Sequence, residues 1–215
     1  MLPVLAALPP DVLAAVAEPD RLAERLTGWY ATPPRHYHTL AHVEAMLGEW
    51  RALRDAGVPG TSARPREWAA AVLFHDAVYV AGRADNEAES AALAARHAPE
   101  HFPGVNTEAV TRLIALTALH GARLPPDLTG EERLFLDTDM AILGAGPAEY
   151  RRYAEGVRAE FVPAVGALPY RFGRARFLRA LLASDRIFLS DYYHERRDAR
   201  ARANLREELE SVKFW

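Results

Sequence analysis

Apolar side chains recur along most of the chain at spacings of three and four, and no stretch alternates apolar and polar residues over the length of a strand. The pattern therefore predicts helices throughout. Proline and glycine collect between the periodic segments, at 32–34, 57–65, 99–104, 121–130, 144–147 and 163–169, and helices are expected in the intervals. Some starts carry their own signal: Glu132 follows Thr129 at the spacing of a capping box, and Pro147 and Pro169 suit a first helical turn. The stretch of about 191–212 is charged and rich in arginine, with Glu207, Glu208 and Glu210 near its end. It reads as a solvated surface helix. No linker, repeat or low-complexity tract divides the chain, so a single all-α domain over 1–215 is expected.

Composition narrows the chemistry. A chain of 215 residues that is 50% hydrophobic can bury a substantial core. A formal charge of −3 gives no electrostatic pull toward nucleic acid or an anionic membrane, and neither partner is expected. There is no cysteine, which excludes disulfides, thiolate catalysis and cysteine zinc sites and suits a reducing cytoplasm, the expected compartment. The N-terminal MLPVLAALPPDVLAAVAEPD is apolar but has no basic residue before Arg21, and Pro3, Pro9 and Pro10 interrupt it. A short capping helix is expected there rather than a signal peptide or a membrane anchor.

Against this background LFHDAVY, residues 73–79, places a histidine and an aspartate inside an apolar run. On a helix His75 shares a face with Ala71, Val72, Val78 and Tyr79, and Asp76 with Val72, Leu73, Tyr79 and Val80. A buried carboxylate takes up a proton or finds a cation, so the dipeptide reads either as a metal-binding pair or as a core histidine beside an ion-paired aspartate. Upstream, RHYHTLAHVEAML sets His38 and His42 four apart, where a helix stacks one above the other, while His36 falls toward solvent. Downstream, EERLFLDTDMAILG holds Asp137 and Asp139, which face nearly opposite ways on a helix. Asp139 lies on the stripe of Phe135, Leu136, Ile142 and Leu143 and is expected inward; Asp137 shares its side with Arg133 and Ala141 as well as Leu134 and Met140. Three apolar helices would then each carry a ligand type inside: His42, His75, Asp76 and Asp139, with His38 adjacent.

In this order and separation the pattern resembles the HD superfamily of metal-dependent phosphohydrolases. Tyr37-His38-Thr39-Leu40-Ala41-His42 also looks like the Tyr-His-Asn-x-x-His segment of the cyclic-nucleotide phosphodiesterases, with Thr39 departing from the Asn. More narrowly the whole chain is similar to a small bacterial family of predicted HD-type metal-dependent phosphohydrolases. That similarity rests on Arg35-His36-Tyr37-His38, Phe74-His75-Asp76-Ala77-Val78-Tyr79, Asp85-Asn86-Glu87, Leu136-Asp137-Thr138-Asp139 and Gly173-Arg174. The resemblance implies a single HD-type helical domain, with a metal-site core over about 35–143 and C-terminal helices of about 147–212 packed on it. The phosphodiesterase alignment makes His42 a ligand and His38 the proton donor to the leaving oxygen; alignment with other HD proteins makes His38 the ligand. The Gly-Tyr-Pro signature of the cyclic-di-guanylate enzymes and the Glu-Asp pair of the alarmone hydrolases are both missing, so one ion is expected unless His120 supplies a second.

These residues imply one divalent ion (Mn, Fe, Co, Ni, Zn or Mg) held by His42, His75, Asp76 and Asp139. Such an ion brings the pKa of a coordinated water toward neutrality and offsets charge on phosphoryl oxygens. Asp76 and His38 are the expected catalytic residues. Arg35 and His120 are candidates for substrate contact, although His120 at a helix end and Arg35 at a surface also have structural readings. Asn86 and Glu87 either open a helix or support the ion from behind its ligands. Arg158, Glu160, Tyr170 and Arg174 match the narrow family and equally suit an internal ion-pair network. The expected activity is hydrolysis of a small phosphate ester such as a nucleotide, the alternative being a ligand-binding or regulatory protein that keeps the ion without turnover.

Overall fold

A computed structural model describes residues 2–31, 35–61 and 63–213, apart from the side chain of Lys213, so the break expected at 32–34 lies outside the described residues. Every regular element among them is helical: eleven α-helices and one 3-10 helix, with no strand. The chain divides into two compact units, Met1–Ala118 and Leu119–Trp215.

The first unit holds α1 (Pro3–Ala6), α2 (Pro10–Leu13), α3 (Pro19–Tyr30), α4 (Leu40–Asp55), α5 (Pro65–Phe74), α6 (Asn86–His101) and α7 (Thr107–Thr117). The apolar N-terminus folds as the two short helices α1 and α2, each opened by a proline and together burying Val4, Leu5 and Val12. At the centre is α5. Every residue from Trp68 to Phe74 is fully buried, as a helix apolar on all sides requires, with α4, α6 and α7 as neighbours. Each large side chain so buried stabilises the fold by about 1.5–3 kcal/mol. Trp68 stacks on Trp50 of α4 with ring centroids 5.5 Å apart, and the Trp50 indole donates to the Thr61 carbonyl. Pro99 does not end α6 as expected; it is accommodated in the last turn, and the helix runs on to His101.

The second unit holds α8 (Gly130–Asp139), a 3-10 helix (Met140–Gly144), α9 (Pro147–Val165), α10 (Ala167–Ala183) and α11 (Asp191–Lys213). Thr129 and Glu132 form the expected capping box, and Pro147 opens α9 as expected. The break expected over 163–169 shrinks to Gly166 alone: Pro163 lies inside α9, Pro169 falls in the first turn of α10 as expected, and the glycine's φ of +86° makes the bend between them. Nor is α11 the fully solvated helix expected. Tyr193, Ala201 and Leu205 are completely buried, and Asp198 and Asn204 lie on the same inner side. Its Arg-rich composition hid a narrow apolar stripe. The 3-10 helix approaches α11 so closely that a Cβ on Gly144 would sit 2.5 Å from Cβ of Arg197. Asn204 reinforces that approach by donating to the carbonyls of Leu143 and Ala145. No helix among the described residues is long and apolar enough to cross a membrane.

Candidate metal centre

The first unit gathers its polar residues at the C-terminal end of α5. The helix stops at Phe74, His75 caps it, and Asp76 begins an irregular segment, so the expected continuation of one helix through Val80 does not occur. A buried irregular segment needs partners for its backbone groups, and here side chains provide them. Asn86 bonds both the N–H and the carbonyl of Val80, at 3.0 Å each. Ser90, one turn further along α6, does the same for Val78 at 3.0 and 3.1 Å. The carbonyls of Asp76 and Ala77 accept from Arg35, at 2.6 and 3.2 Å.

Arg35 therefore has a structural task. Its Nη1 also donates to the His38 carbonyl and its Nη2 to that of Trp29, so four backbone carbonyls occupy the four terminal N–H groups. The guanidinium lies over the rings of Tyr30 and Tyr79, 4.8 and 5.4 Å from their centroids. These contacts make Arg35 a clamp that joins the histidine segment to the turn carrying Asp76, in keeping with its structural reading.

His38 and His42 do not stack on one helix. Thr39 caps α4, its side chain accepting from the Ala41 N–H, so His42 lies in the first turn and His38 precedes the helix. The His38 ring instead stacks on Tyr79, with centroids 4.2 Å apart. His36 is exposed, as expected. Among the described residues the group able to hold a metal ion is His42, His75 and Asp76, which contains His42 and not His38. His75 Nε2 lies 3.2 Å from His42 Nε2 and 3.0 Å from Asp76 Oδ2, and the third edge, from His42 Nε2 to that oxygen, is 3.9 Å. His42 and His75 are buried and Asp76 is nearly so.

The chemistry of this donor set suits a cation. His75 Nδ1 stands 2.9 Å from the Val72 carbonyl, which can only accept, so Nδ1 carries the proton and the neutral ring offers a lone pair at Nε2. That lone pair points at a carboxylate oxygen and a second imidazole nitrogen. Only a proton or a metal ion between them turns the arrangement from repulsive to favourable. Two of the edges also match the roughly 3–3.6 Å that separates ligand atoms about 2.0–2.2 Å from one ion, and the third, at 3.9 Å, is somewhat longer. Burial alone would push the Asp76 carboxyl up, but when the rings of His75, His38 and His42 carry a proton their positive charge outweighs burial and holds the group well below the usual carboxylate range, and a metal ion would bring positive charge to the same place. Asp76 is thus ionised, as a ligand must be.

Of the other expected residues, Asn86 and Glu87 open α6, with Asp85 at the cap position. Asn86 supports the Asp76 segment from behind, and Glu87 is half-buried. Asp139 and His120 belong to the second unit and pair there, His120 Nε2 donating to Asp139 Oδ2 at 2.7 Å.

The expected contrast between the two aspartates of α8 fails at Asp137. It is 1% exposed, whereas 12% of the Asp139 side chain remains accessible. Arg133 and Ala141 marked the Asp137 side as outward, yet the turn leading into α11 covers that side and presents N–H groups that need an acceptor. Asp137 accepts from Leu189 N–H, Ser190 N–H and Ser190 Oγ at 2.7, 2.7 and 2.5 Å. Burial raises its pKa to about 6 against the pull of those three bonds, so it is ionised at pH 7. Arg174 likewise lies in a buried network, in which its Nε and Nη2 donate to Glu208 and its Nη1 to the Tyr153 hydroxyl.

Residue-by-residue reading missed the supporting roles of Tyr79 and Ser90. The four-residue spacing of Asn86 and Ser90 on one helix face was the available signal for Ser90; Tyr79 gave none beyond its place beside the dipeptide. No family model, curated protein or solved structure matches the chain.

Proposed function

We propose that the first unit holds one divalent cation at His42, His75 and Asp76, and that the protein is a metal-dependent phosphohydrolase acting on a small phosphate ester such as a nucleotide. The observation that carries this reading is the meeting of two imidazole nitrogens and a carboxylate oxygen within 3.9 Å, one ring being fixed by Val72 in the tautomer that offers a lone pair. The HD resemblance supplies the reaction class.

When bound, the ion supplies charge stabilisation at phosphoryl oxygens and a water acidic enough to ionise near neutral pH. The protein's own groups do the rest. His42 and His75 contribute neutral nitrogen donors, and Asp76 contributes negative charge together with a second oxygen to orient an attacking water. His38 is half-buried, with its ring held against Tyr79 and its carbonyl held by Arg35. It is the group assigned to protonate the departing oxygen.

Elemental analysis of the purified protein, followed by a phosphate-ester screen with added manganese, cobalt or nickel, tests the proposal. About one ion per chain and turnover lost in Asp76→Ala are the expected results. A wild-type protein that takes up no divalent ion sinks it. Tight metal uptake with no turnover across nucleotides and sugar phosphates would replace it with the binding-protein reading.

A further inference from the structure

Besides the metal ligands, the first unit carries a second cluster of ionisable side chains, where the end of α6 meets α3 and the connection between α2 and α3. His101, the last residue of α6, is fully buried. It exchanges two bonds with Ala17 of that connection: the Ala17 N–H donates to the His101 carbonyl at 2.8 Å, and His101 Nδ1 lies 3.1 Å from the Ala17 carbonyl. A carbonyl only accepts, so Nδ1 carries the proton of the ring. Nε2 is then an acceptor, and it faces a donor, Arg25 Nη1, at 3.2 Å. Neutral His101 fits both neighbours. A protonated ring does not, because its Nε2–H would meet an arginine N–H, setting two donors and two positive charges at hydrogen-bond distance.

The chain that this contact fastens is strained. Glu18, directly after Ala17, has φ of +49° and ψ of +57°, a left-handed conformation that costs free energy for a residue with a Cβ. On the near side of that turn, α1 packs against α4, which carries His42, and α2 against α5, which His75 caps. His101 thus anchors the end of a segment that covers two helices of the unit.

The surrounding charges act on the ring in both senses. Arg25 and Arg21 of α3 oppose a proton on His101, and Glu100 of α6 favours one, although Glu100 already pairs with both arginines, at 2.9 and 3.4 Å. Glu18 takes a further bond from Arg21. His97 of α6 also reaches Arg25 Nη1, at 3.1 Å, and Glu100, at 2.9 Å. On the neighbouring elements, Arg66 and Glu67 of α5 bond the Pro103 carbonyl and the Asn106 N–H, Asp11 of α2 pairs with Arg54 of α4, and Glu108 and Arg112 of α7 are exposed. Burial, joined by the arginines, outweighs the Ala17 carbonyl and Glu100 and holds the His101 pKa below its ordinary 6.5.

We infer that His101 is an acid-released latch: neutral, it fastens the α2–α3 connection to the end of α6, and protonated, it frees that connection together with α1 and α2. The closed form binds the proton less well than the open form, so closure is favoured above pH 6.5 and loses that advantage as pH falls below it. A released ring titrates near 6.5, and acid therefore raises the opening constant by at most about thirtyfold between pH 7.5 and 5.0.

Hydrogen exchange of the full chain between pH 7.5 and 5.0, with each rate divided by its intrinsic pH dependence, reads this opening at residues 4–17. Glu100 and Asp11 are held below their ordinary values and stay ionised throughout that range. Protection of 4–17 should fall by about five- to thirtyfold by pH 5.0. His101→Asn keeps a donor for Ala17 and has no proton to gain, so its protection, whatever its level at pH 7.5, should change by less than about twofold. Arg25→Gln replaces the facing charge with an amide that can accept from a protonated ring, and it should keep the segment closed to lower pH than the wild type. Wild-type protection that stays level from pH 7.5 to 5.0 overturns the inference. A fall reproduced in full by His101→Asn, or left at the same pH by Arg25→Gln, overturns it too and assigns the pH dependence to another group.

Discussion

At His75 one hydrogen bond decides what the ring can do. Because Nδ1 donates to the Val72 carbonyl, Nε2 is left as the donor atom that meets Asp76 and His42. Asp76→Ala removes the only carboxylate of this group, and the expected outcome is loss of bound metal by elemental analysis together with loss of hydrolysis. His38→Ala should separate the two properties: metal content is retained, and turnover falls by about 10² to 10⁴, the usual contribution of a general acid. Asp137→Ala affects folding instead. Removing a buried charged acceptor leaves two backbone N–H groups and a hydroxyl without their partner, and a loss of about 2–4 kcal/mol is expected in urea denaturation. The sequence revealed the residue types of the centre and the pairing of His42 with the dipeptide, but not which aspartate of α8 is buried. A helix wheel ranks faces by the helix's own residues, and the cover over Asp137 comes from a turn some fifty positions away.

Among the elements, the segment after α5 is the one on which the centre depends. Its conformation comes from Arg35, Asn86 and Ser90, which bond the backbone of residues 76–80, and helical periodicity has no means of showing this. The extended helical run expected through Val80 was therefore wrong for a definite reason. Apolar side chains continue past His75, but the backbone there is bonded by side chains in place of helical neighbours. The starts of α8 and α9 were legible because their signals are local, a capping box and an N1 proline. Arg35→Lys tests the clamp. A lysine ammonium is a point donor on a flexible stem and cannot hold four carbonyls in the plane of a guanidinium. The variant should bind manganese or cobalt about 10- to 100-fold more weakly in calorimetric titration, although every ligand is intact.

For the molecule as a whole, acid stability reports the carboxylates that the fold keeps charged. Burial opposes ionisation of Asp198, but the Ile187 N–H, Arg202 and the Phe188 N–H outweigh it and hold its pKa below the ordinary value. A group depressed in this way contributes stability that is present above its unfolded value near 3.8 and is lost as pH falls through its folded value. Asp137 works in the opposite sense. With a folded value of about 6, it favours the folded state below about pH 4, and that contribution is lost as pH rises through 6. Between about pH 4 and 2 the stability of the wild type should therefore fall more steeply than that of Asp198→Asn, measured by urea midpoints across the range. Parallel curves would show that Asp198 is not held ionised.

The bonding of residues 76–80 also bears on how this protein can diverge. Insertion of a single residue there would offset each carbonyl from Arg35 and each amide from Asn86 or Ser90 by one position, and no rotamer change at those side chains would restore all of the matches. Side-chain substitutions at 77–80 that keep the backbone N–H groups preserve this bonding; changes of length do not. Among natural variants of this chain, insertions and deletions should accumulate in other connections and spare the interval from Asp76 to Val80.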